Sequence, residues 1–151
     1  MKRLVVTFFV ISFVFASSIM YATAAGGGQM SVFDKVAKET VLKNGVKEIT
    51  YDQFSKIRKS GEQYVLLDVL SPDSYAKGHI EGAVSFPGDT INKETAPSRL
   101  SKNAKIIVYC GSFHCGASTH AAKTLIALGY NVLDYKGGLK DWQDKGNLLV
   151  K

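Results

Sequence analysis

Short hydrophobic runs alternate with amphipathic, helix-forming segments along most of the chain. The apolar runs predict five strands, at 47–49, 64–69, 83–86, 105–109 and 132–135. The run at 64–69 is almost continuously apolar, which is typical of a strand buried on both faces. Because connecting segments separate the strands, we expect right-handed crossovers, a parallel sheet and helices on both of its faces.

Capping residues and glycines mark the helices between these strands. Thr50 caps a predicted helix over 51–59, and Pro72 lies in the first turn of a helix that runs to about 77. Gly129 ends a helix over 117–128. The two remaining segments are an irregular helix around 90–100 and a last helix over 139–145.

The first 24 residues have the pattern of an export signal. Lys2 and Arg3 precede an apolar stretch over 4–16, and small residues follow up to Ala24. We expect cleavage after Ala24 or Ala25 and a periplasmic location, with an uncleaved anchor as the alternative. Because a membrane span needs about 20 apolar residues, we expect no stable membrane insertion once the signal is removed.

The mature chain has the size of one domain with a short extension in front. Ser31 begins a predicted helix that continues to about 43, where Asn44-Gly45 ends it, and we expect this helix to pack on the domain. The predicted organisation is a signal peptide at 1–24, an N-terminal extension with a short helix at 25–46, and the domain at 47–151.

The net charge gives no indication of a nucleic-acid partner. Loss of Lys2 and Arg3 lowers the basic count from 19 to 17 against 13 acidic residues, so the formal net charge falls from +6 to +4. The remaining excess is dispersed, and no basic stripe is interleaved with aromatic residues.

Cys110 is the strongest candidate for chemistry, because it follows an apolar strand and lies in a loop that opens a helix. Ligands collect at such strand ends, and free N–H groups at a helix N-terminus favour a thiolate, persulfide or oxyanion. The alternative is a small buried residue. Cys115 lies in the same loop, so the pair bridges no distant elements, but in an oxidising compartment it can form a local disulfide.

Several motifs occur in one consistent order around this loop. They are Leu67-Asp68-Val69, residues 75–87, the strand that ends in Cys110, Leu128-Gly129-Tyr130, and residues 137–142. Together they resemble a single-domain rhodanese, of the variant with a C-x4-C loop, over about 47–146. The resemblance implies a rhodanese-like open five-stranded parallel sheet flanked by helices on both faces.

The same resemblance implies a sulfurtransferase or sulfur carrier, and the signal pattern of residues 1–24 implies that it is exported. Cys110 would take sulfur from a small-molecule donor, hold it as a persulfide, and give it to a thiol or cyanide-type acceptor. No cofactor is expected, and a reducing protein partner would keep the thiols reduced after export.

Backbone N–H groups of the loop are the expected binding groups for the sulfur anion. A nest of such groups and a helix N-terminus stabilise negative charge, and Gly111 and Gly116 permit the backbone angles that a nest needs. The predicted substrate-binding residues are Gly111, Ser112, Phe113, His114, Gly116, Ala117 and Ser118.

Two departures from the family pattern bear on the sulfur donor. The loop is longer than in common members and lacks their arginine or lysine, so that His114 is its only basic side chain. Leu70 stands where many relatives have an arginine. Thiosulfate would therefore lose its usual cationic clamp, and the identity of the donor stays open.

Three further side chains are supporting candidates. Cys115 is a resolving thiol for Cys110, the attacking nucleophile itself, or a packed small residue; Cys110 is preferred as nucleophile because it directly follows the strand. We expect Asp68 to fix the turn after its strand, with orientation of the loop as the alternative. We expect His79 to hold a structural hydrogen bond rather than to act as a general base.

Two other classes of function remain open from sequence. In the first, Cys110 and Cys115 cycle as a thiol–disulfide or peroxide-responsive pair without sulfur transfer. In the second, the domain is a non-catalytic binding module, including weak metal capture by both cysteines and His114. A rhodanese-like phosphatase is excluded, because Gly116 stands where an arginine would have to grip phosphate.

Overall fold

A computed structural model describes residues 29–151, and the predicted export signal lies outside them. The centre is a six-stranded sheet with the order β1-β2-β6-β5-β3-β4. Its strands are β1 Leu42–Lys43, β2 Val46–Ile49, β3 Val65–Asp68, β4 Ala83–Ser85, β5 Lys105–Tyr109 and β6 Asn131–Tyr135. All neighbours pair in parallel except β1, which runs antiparallel to β2. The α/β architecture and the central parallel strands agree with the sequence prediction.

Helices cover both faces of this sheet. They are α1 Val32–Glu39, α2 Tyr51–Lys59, α3 Pro72–Lys77, α4 Thr95–Arg99, α5 Ala117–Ala127 and α6 Gly138–Asp144, with a 3-10 turn at Gly88–Thr90. One core packs under α4 and α5, and the other packs under α1, α2 and α6. Strand β5 contributes to both cores, with Ile106 and Val108 on the α5 side and Ile107 and Tyr109 on the opposite side.

The helix predicted over 31–43 is shorter than expected, and this changes the sheet. The helix ends at Glu39. The next residue, Thr40, is extended and donates its N–H to the Val36 carbonyl. Asn44 (φ 52°) and Gly45 (φ 80°) then form a two-residue hairpin turn between β1 and β2. Positive φ at both positions is the conformation that an Asn-Gly hairpin favours. The sheet therefore has six strands, with an antiparallel one at its edge, rather than five.

Helix α1 is attached to the domain by polar contacts at its first turn. The Glu62 carboxylate accepts hydrogen bonds from the N–H groups of Val32 and Phe33. Lys105 lies 3.1 Å from Asp34 and 3.8 Å from Glu62, and the Phe33 ring is fully buried beneath these groups. The extension is thus part of the packed body.

The segment predicted as one irregular helix divides into the 3-10 turn and α4. Asn92 separates them, because its side chain accepts hydrogen bonds from the N–H groups of Glu94 and Thr95 and so begins α4 afresh. Along residues 29–151, none of the helices has the length and apolar character needed to cross a membrane.

Candidate active site

Both cysteines lie in residues 110–116, hereafter the cysteine loop, between β5 and α5. Cys110 directly follows β5, which lies in the interior of the sheet, and a turn closed by the Cys115 N–H on the Ser112 carbonyl (3.0 Å) leads to α5. The loop therefore lies at the carboxyl end of the parallel strands, where α/β proteins bind ligands.

The start of α6 fixes the beginning of this loop. The N–H groups of Leu139 and Lys140 donate to the carbonyls of Cys110 (3.0 Å) and Gly111 (2.9 Å). Gly138 makes this approach possible: its φ is +59°, and a Cβ at that position would lie 2.1 Å from the Cys110 carbonyl oxygen. The Gly137-Gly138 pair thus lets the start of α6 pack against the cysteine loop and hold it by hydrogen bonds.

Cys110 is fully enclosed. Its side chain is 0% exposed, and its sulfur lies 3.3 Å from the Ser118 hydroxyl and 3.4 Å from the Cys115 carbonyl oxygen. Burial raises the pKa of this thiol, although the hydrogen bonds that its sulfur makes with the Ser118 hydroxyl and N–H act in the opposite direction. Cys110 is therefore the harder of the two thiols to ionise.

Cys115 has the opposite character. It is half-buried, and it lies at the entrance to α5. Partial burial opposes ionisation, but the Cys110 thiol, the N–H groups of Ala117 and Gly111 and the charge of Lys136 outweigh it and lower the pKa of Cys115. The loop thus holds an accessible, acidic thiol in front of a buried, less acidic one.

The predicted binding residues around this pair differ in their exposure to solvent. Phe113, His114 and Gly116 are exposed, Gly111, Ser112 and Ala117 are half-buried, and Ser118 is fully buried. Of these side chains, Ser118 makes the closest contact with a cysteine sulfur.

Asp68 and His79 lie apart from the thiols. Asp68 is buried, accepts a hydrogen bond from the Leu70 N–H (2.9 Å) and has a pKa raised by burial. It alternates with Leu67 along β3, so its side chain leaves the sheet on the side opposite Cys110. The His79 ring stacks on Tyr75, with 3.7 Å between ring centroids, and its Nδ1 lies 3.1 Å from the Tyr75 carbonyl oxygen.

Lys136 is a site residue that the sequence analysis missed. The parallel register pairs Tyr109 with Tyr135, so the residues that follow them, Cys110 and Lys136, lie side by side. The Lys136 ammonium donates to the Cys115 carbonyl (2.6 Å) and to the Thr119 hydroxyl (2.9 Å). A lysine directly after the strand next to the cysteine strand was the available signal.

A large cavity lies beside the cysteine loop rather than over a sulfur. Its volume is about 590 Å³, and its lining is mainly apolar, without lysine or arginine. It touches the cysteine loop only at Gly116, and Leu70 forms part of its wall. Two smaller clefts, of about 260 and 340 Å³, both contain Lys136.

A metal site is not formed by the loop. Within residues 29–151, no group of three or more histidine, cysteine or acidic side chains is arranged to hold a metal ion. Cys110, His114 and Cys115 therefore do not form the ligand set that the binding-module alternative would need.

Known proteins resemble this chain in sequence. The thiosulfate sulfurtransferase PspE of Escherichia coli is 32% identical over 76 residues, which cover 50% of this chain and 70% of that protein. The putative sulfur carrier protein YrkF of Bacillus subtilis is 31% identical over 104 residues, which cover 68% of this chain but only 54% of YrkF. This chain thus corresponds to about half of that relative.

Solved structures show the same fold. The BH2092 protein of Bacillus halodurans matches with a TM-score of 0.62 and 34% identity, over 68% of this chain and 75% of that one. The rhodanese-like domain of Alr3790 from Anabaena matches with a TM-score of 0.60 and 28% identity, over 68% and 77% of the two chains. The family of rhodanese-like domains matches residues 35–145, well over half of the sequence. The protein therefore belongs to the rhodanese-like domain family.

Proposed function

We propose that the protein is an exported sulfurtransferase that carries sulfane sulfur as a persulfide on the cysteine loop. The observation that carries the proposal is the juxtaposition of two unlike thiols at the N-terminus of α5 within a rhodanese-like domain. Relatives named thiosulfate sulfurtransferase and sulfur carrier support the same reaction class.

Exposure and acidity suggest an order of events at the two thiols. The Cys115 thiolate attacks the outer sulfur of the donor; a new S–S bond forms, the donor's S–S bond breaks, and its leaving group departs with the electron pair. Cys110 then attacks the outer sulfur of that persulfide, and the Cys110 proton passes to the released Cys115 thiolate. The persulfide finally lies on Cys110 until an acceptor thiol or cyanide removes it. Cys110 is the persulfide position expected from the sequence, whereas the first attack on the donor, which the sequence analysis also gave to Cys110, is here assigned to Cys115.

The backbone around the loop suits this chemistry. The N–H groups of Gly111 and Ala117 interact with the Cys115 sulfur, and the Ser118 N–H and hydroxyl interact with the Cys110 sulfur. Fixed dipoles of this kind stabilise negative charge on sulfur as it forms and leaves.

Intact mass of the reduced mature protein tests the proposal. The protein is exposed in parallel to thiosulfate, polysulfide and glutathione persulfide, and compared with Cys110→Ser and Cys115→Ser. We expect a gain of one sulfur atom in the parent protein, retention of that gain on Cys115 in Cys110→Ser, and slower loading in Cys115→Ser. Failure of every donor to add sulfur would overturn the assignment.

A thiol–disulfide protein is the second candidate, and the closeness of the two thiols favours it. The Cys110 sulfur lies 3.4 Å from the Cys115 carbonyl oxygen and both thiols are free, so a local disulfide is the expected product of their oxidation. In the same mass experiment this function gives only the loss of two hydrogens, which the double variant Cys110→Ser/Cys115→Ser cannot undergo.

Export is proposed on the composition of residues 1–24. Fractionation of a bacterium that expresses the full chain, with N-terminal sequencing of the product, tests it. We expect a periplasmic protein that begins at Ala25 or Gly26. A full-length product retained in the cytoplasm would contradict the proposal.

A further inference from the structure

The cysteine loop has no permanent positive charge of its own. From Cys110 to Ser118 the sequence contains neither lysine nor arginine. Both proposed steps place negative charge on sulfur, first as the attacking thiolate and then as the outgoing one. Backbone N–H groups supply part of the stabilisation, and a full charge must come from another element.

Lys136 brings such a charge to the loop from the end of β6. Its ammonium has three N–H donors, of which two go to the Cys115 carbonyl (2.6 Å) and the Thr119 hydroxyl (2.9 Å). The first contact fixes the main chain of Cys115, and the second joins it to the first turn of α5. Lys136 therefore holds the loop and the helix that follows it in one arrangement.

A buried carboxyl group holds Lys136 in this position. The Thr119 hydroxyl accepts from Lys136 and donates to the Asp134 carboxylate (2.8 Å). Asp134 is fully buried and alternates with Tyr135 along β6, so it lies on the same face of the sheet as Cys110. This hydroxyl and carboxylate fix the ammonium without a direct ion pair that would neutralise it.

We propose that Lys136 is a positioning residue for the thiol pair, which fixes Cys115 through its carbonyl and favours negative charge on its sulfur. This inference rests on the sulfurtransferase function proposed above. The charged groups of the two clefts that share Lys136, apart from Lys136 itself, are Lys43, Glu48, Asp52, His120, Lys123, Asp141 and Lys145. Among the lysine side chains of residues 29–151, that of Lys136 is the one that hydrogen-bonds the cysteine loop.

Alkylation of Cys115 as a function of pH tests this role without any sulfur donor. The reduced mature protein is treated with iodoacetamide, and peptide fragmentation separates modification of Cys115 from that of Cys110. The variants are Lys136→Met, Lys136→Gln and Lys136→Arg. The control is Lys93→Met, since the Lys93 side chain is exposed, lies 3.7 Å from Glu94 and makes no contact with the cysteine loop.

The expected result depends on charge and not on chain length. Lys136→Met and Lys136→Gln move the pH midpoint of Cys115 alkylation upward and slow the reaction at neutral pH by roughly three- to tenfold, the effect of about half to one pKa unit. Lys136→Arg and Lys93→Met keep the parent profile. Lys136→Gln retains a donor for the Cys115 carbonyl, so it reports the loss of charge even if Lys136→Met fails to fold.

A Lys136→Gln protein with the parent alkylation profile would overturn the inference. Because alkylation requires no sulfur transfer, this result is separate from a failure of the persulfide experiment. If donors load the parent protein with sulfur but Lys136→Gln has the parent alkylation profile, the proposed sulfurtransferase function stands. Only the role of Lys136 is then refuted.

Discussion

Replacement of Gly138 by alanine is expected to release the cysteine loop from α6. An L-residue at φ +59° costs about 1–2 kcal/mol. The added Cβ would lie 2.1 Å from the Cys110 carbonyl oxygen and 2.9 Å from its carbon, and these are backbone atoms that cannot rotate aside. Relief requires the loop to move away, which breaks the hydrogen bonds from Leu139 and Lys140 at about 1 kcal/mol each. The expected total loss is about 3–4 kcal/mol.

Gly146 provides a matched control at the other end of the same helix. Its φ is +83°, but a Cβ there would meet nothing within 4 Å, so Gly146→Ala costs only the backbone term of about 1–2 kcal/mol. The difference, about 2 kcal/mol, isolates the contact with the loop.

Urea unfolding of the two variants measures this difference. Iodoacetamide labelling under native conditions adds a local measurement, because a displaced loop should expose the Cys110 sulfur in Gly138→Ala and leave it protected in Gly146→Ala. Equal unfolding midpoints together with equal protection of Cys110 would refute the reasoning.

Three further changes test separate parts of the structure. Ser118→Ala removes the side-chain hydrogen bond that lowers the pKa of Cys110 and keeps the one from the Ser118 N–H. In a Cys115→Ser background, the pH midpoint of the thiolate absorbance of Cys110 should therefore rise by about half to one pH unit, and an unchanged midpoint would contradict the contact. Burial raises the pKa of Asp134 above its usual 3.8, so the stability that this carboxyl contributes is complete below that pH and is lost as the pH rises through the raised value. Asp134→Asn should therefore flatten the pH profile of the unfolding free energy above about pH 4, and a profile identical to the parent would argue against this. The hydrogen bond from the Val32 N–H lowers the pKa of Glu62. Glu62→Ala, or a fall in pH through that pKa, should therefore speed amide exchange at the start of α1. Exchange that stays slow would show that another group holds these N–H groups.

The sequence predicts those elements whose signals are local. Strand β5 is a continuous apolar run, and α2 is marked by Thr50 and Gln53, which form a capping box. The predicted end of α1 was wrong because an Asn-Gly pair occurs both at helix ends and in hairpin turns. Asn44-Gly45 forms a hairpin turn here because β2 is available to pair with β1.

The same distinction between local signals and tertiary contacts applies to the residues of the candidate site. Cys110 could be found from its position after a buried strand. Its burial was only an alternative from sequence, because whether the sulfur is covered depends on how the main chain at Cys115 folds over it. Lys136 follows Cys110 by many residues, and only the pairing of β5 with β6 brings them together. A sequence motif covers one segment of the chain, so it cannot reveal a contact that only the register between two strands creates.

The two edges of the sheet are its shortest strands, with two residues in β1 and three in β4. A long free edge would offer unpaired backbone groups to a second chain and so invite aggregation by strand addition. Here few such groups are available, and the Ser85 carbonyl is already occupied by the Arg99 guanidinium at 2.7 Å. Strand addition by a second chain at either of these two edges should therefore be weak.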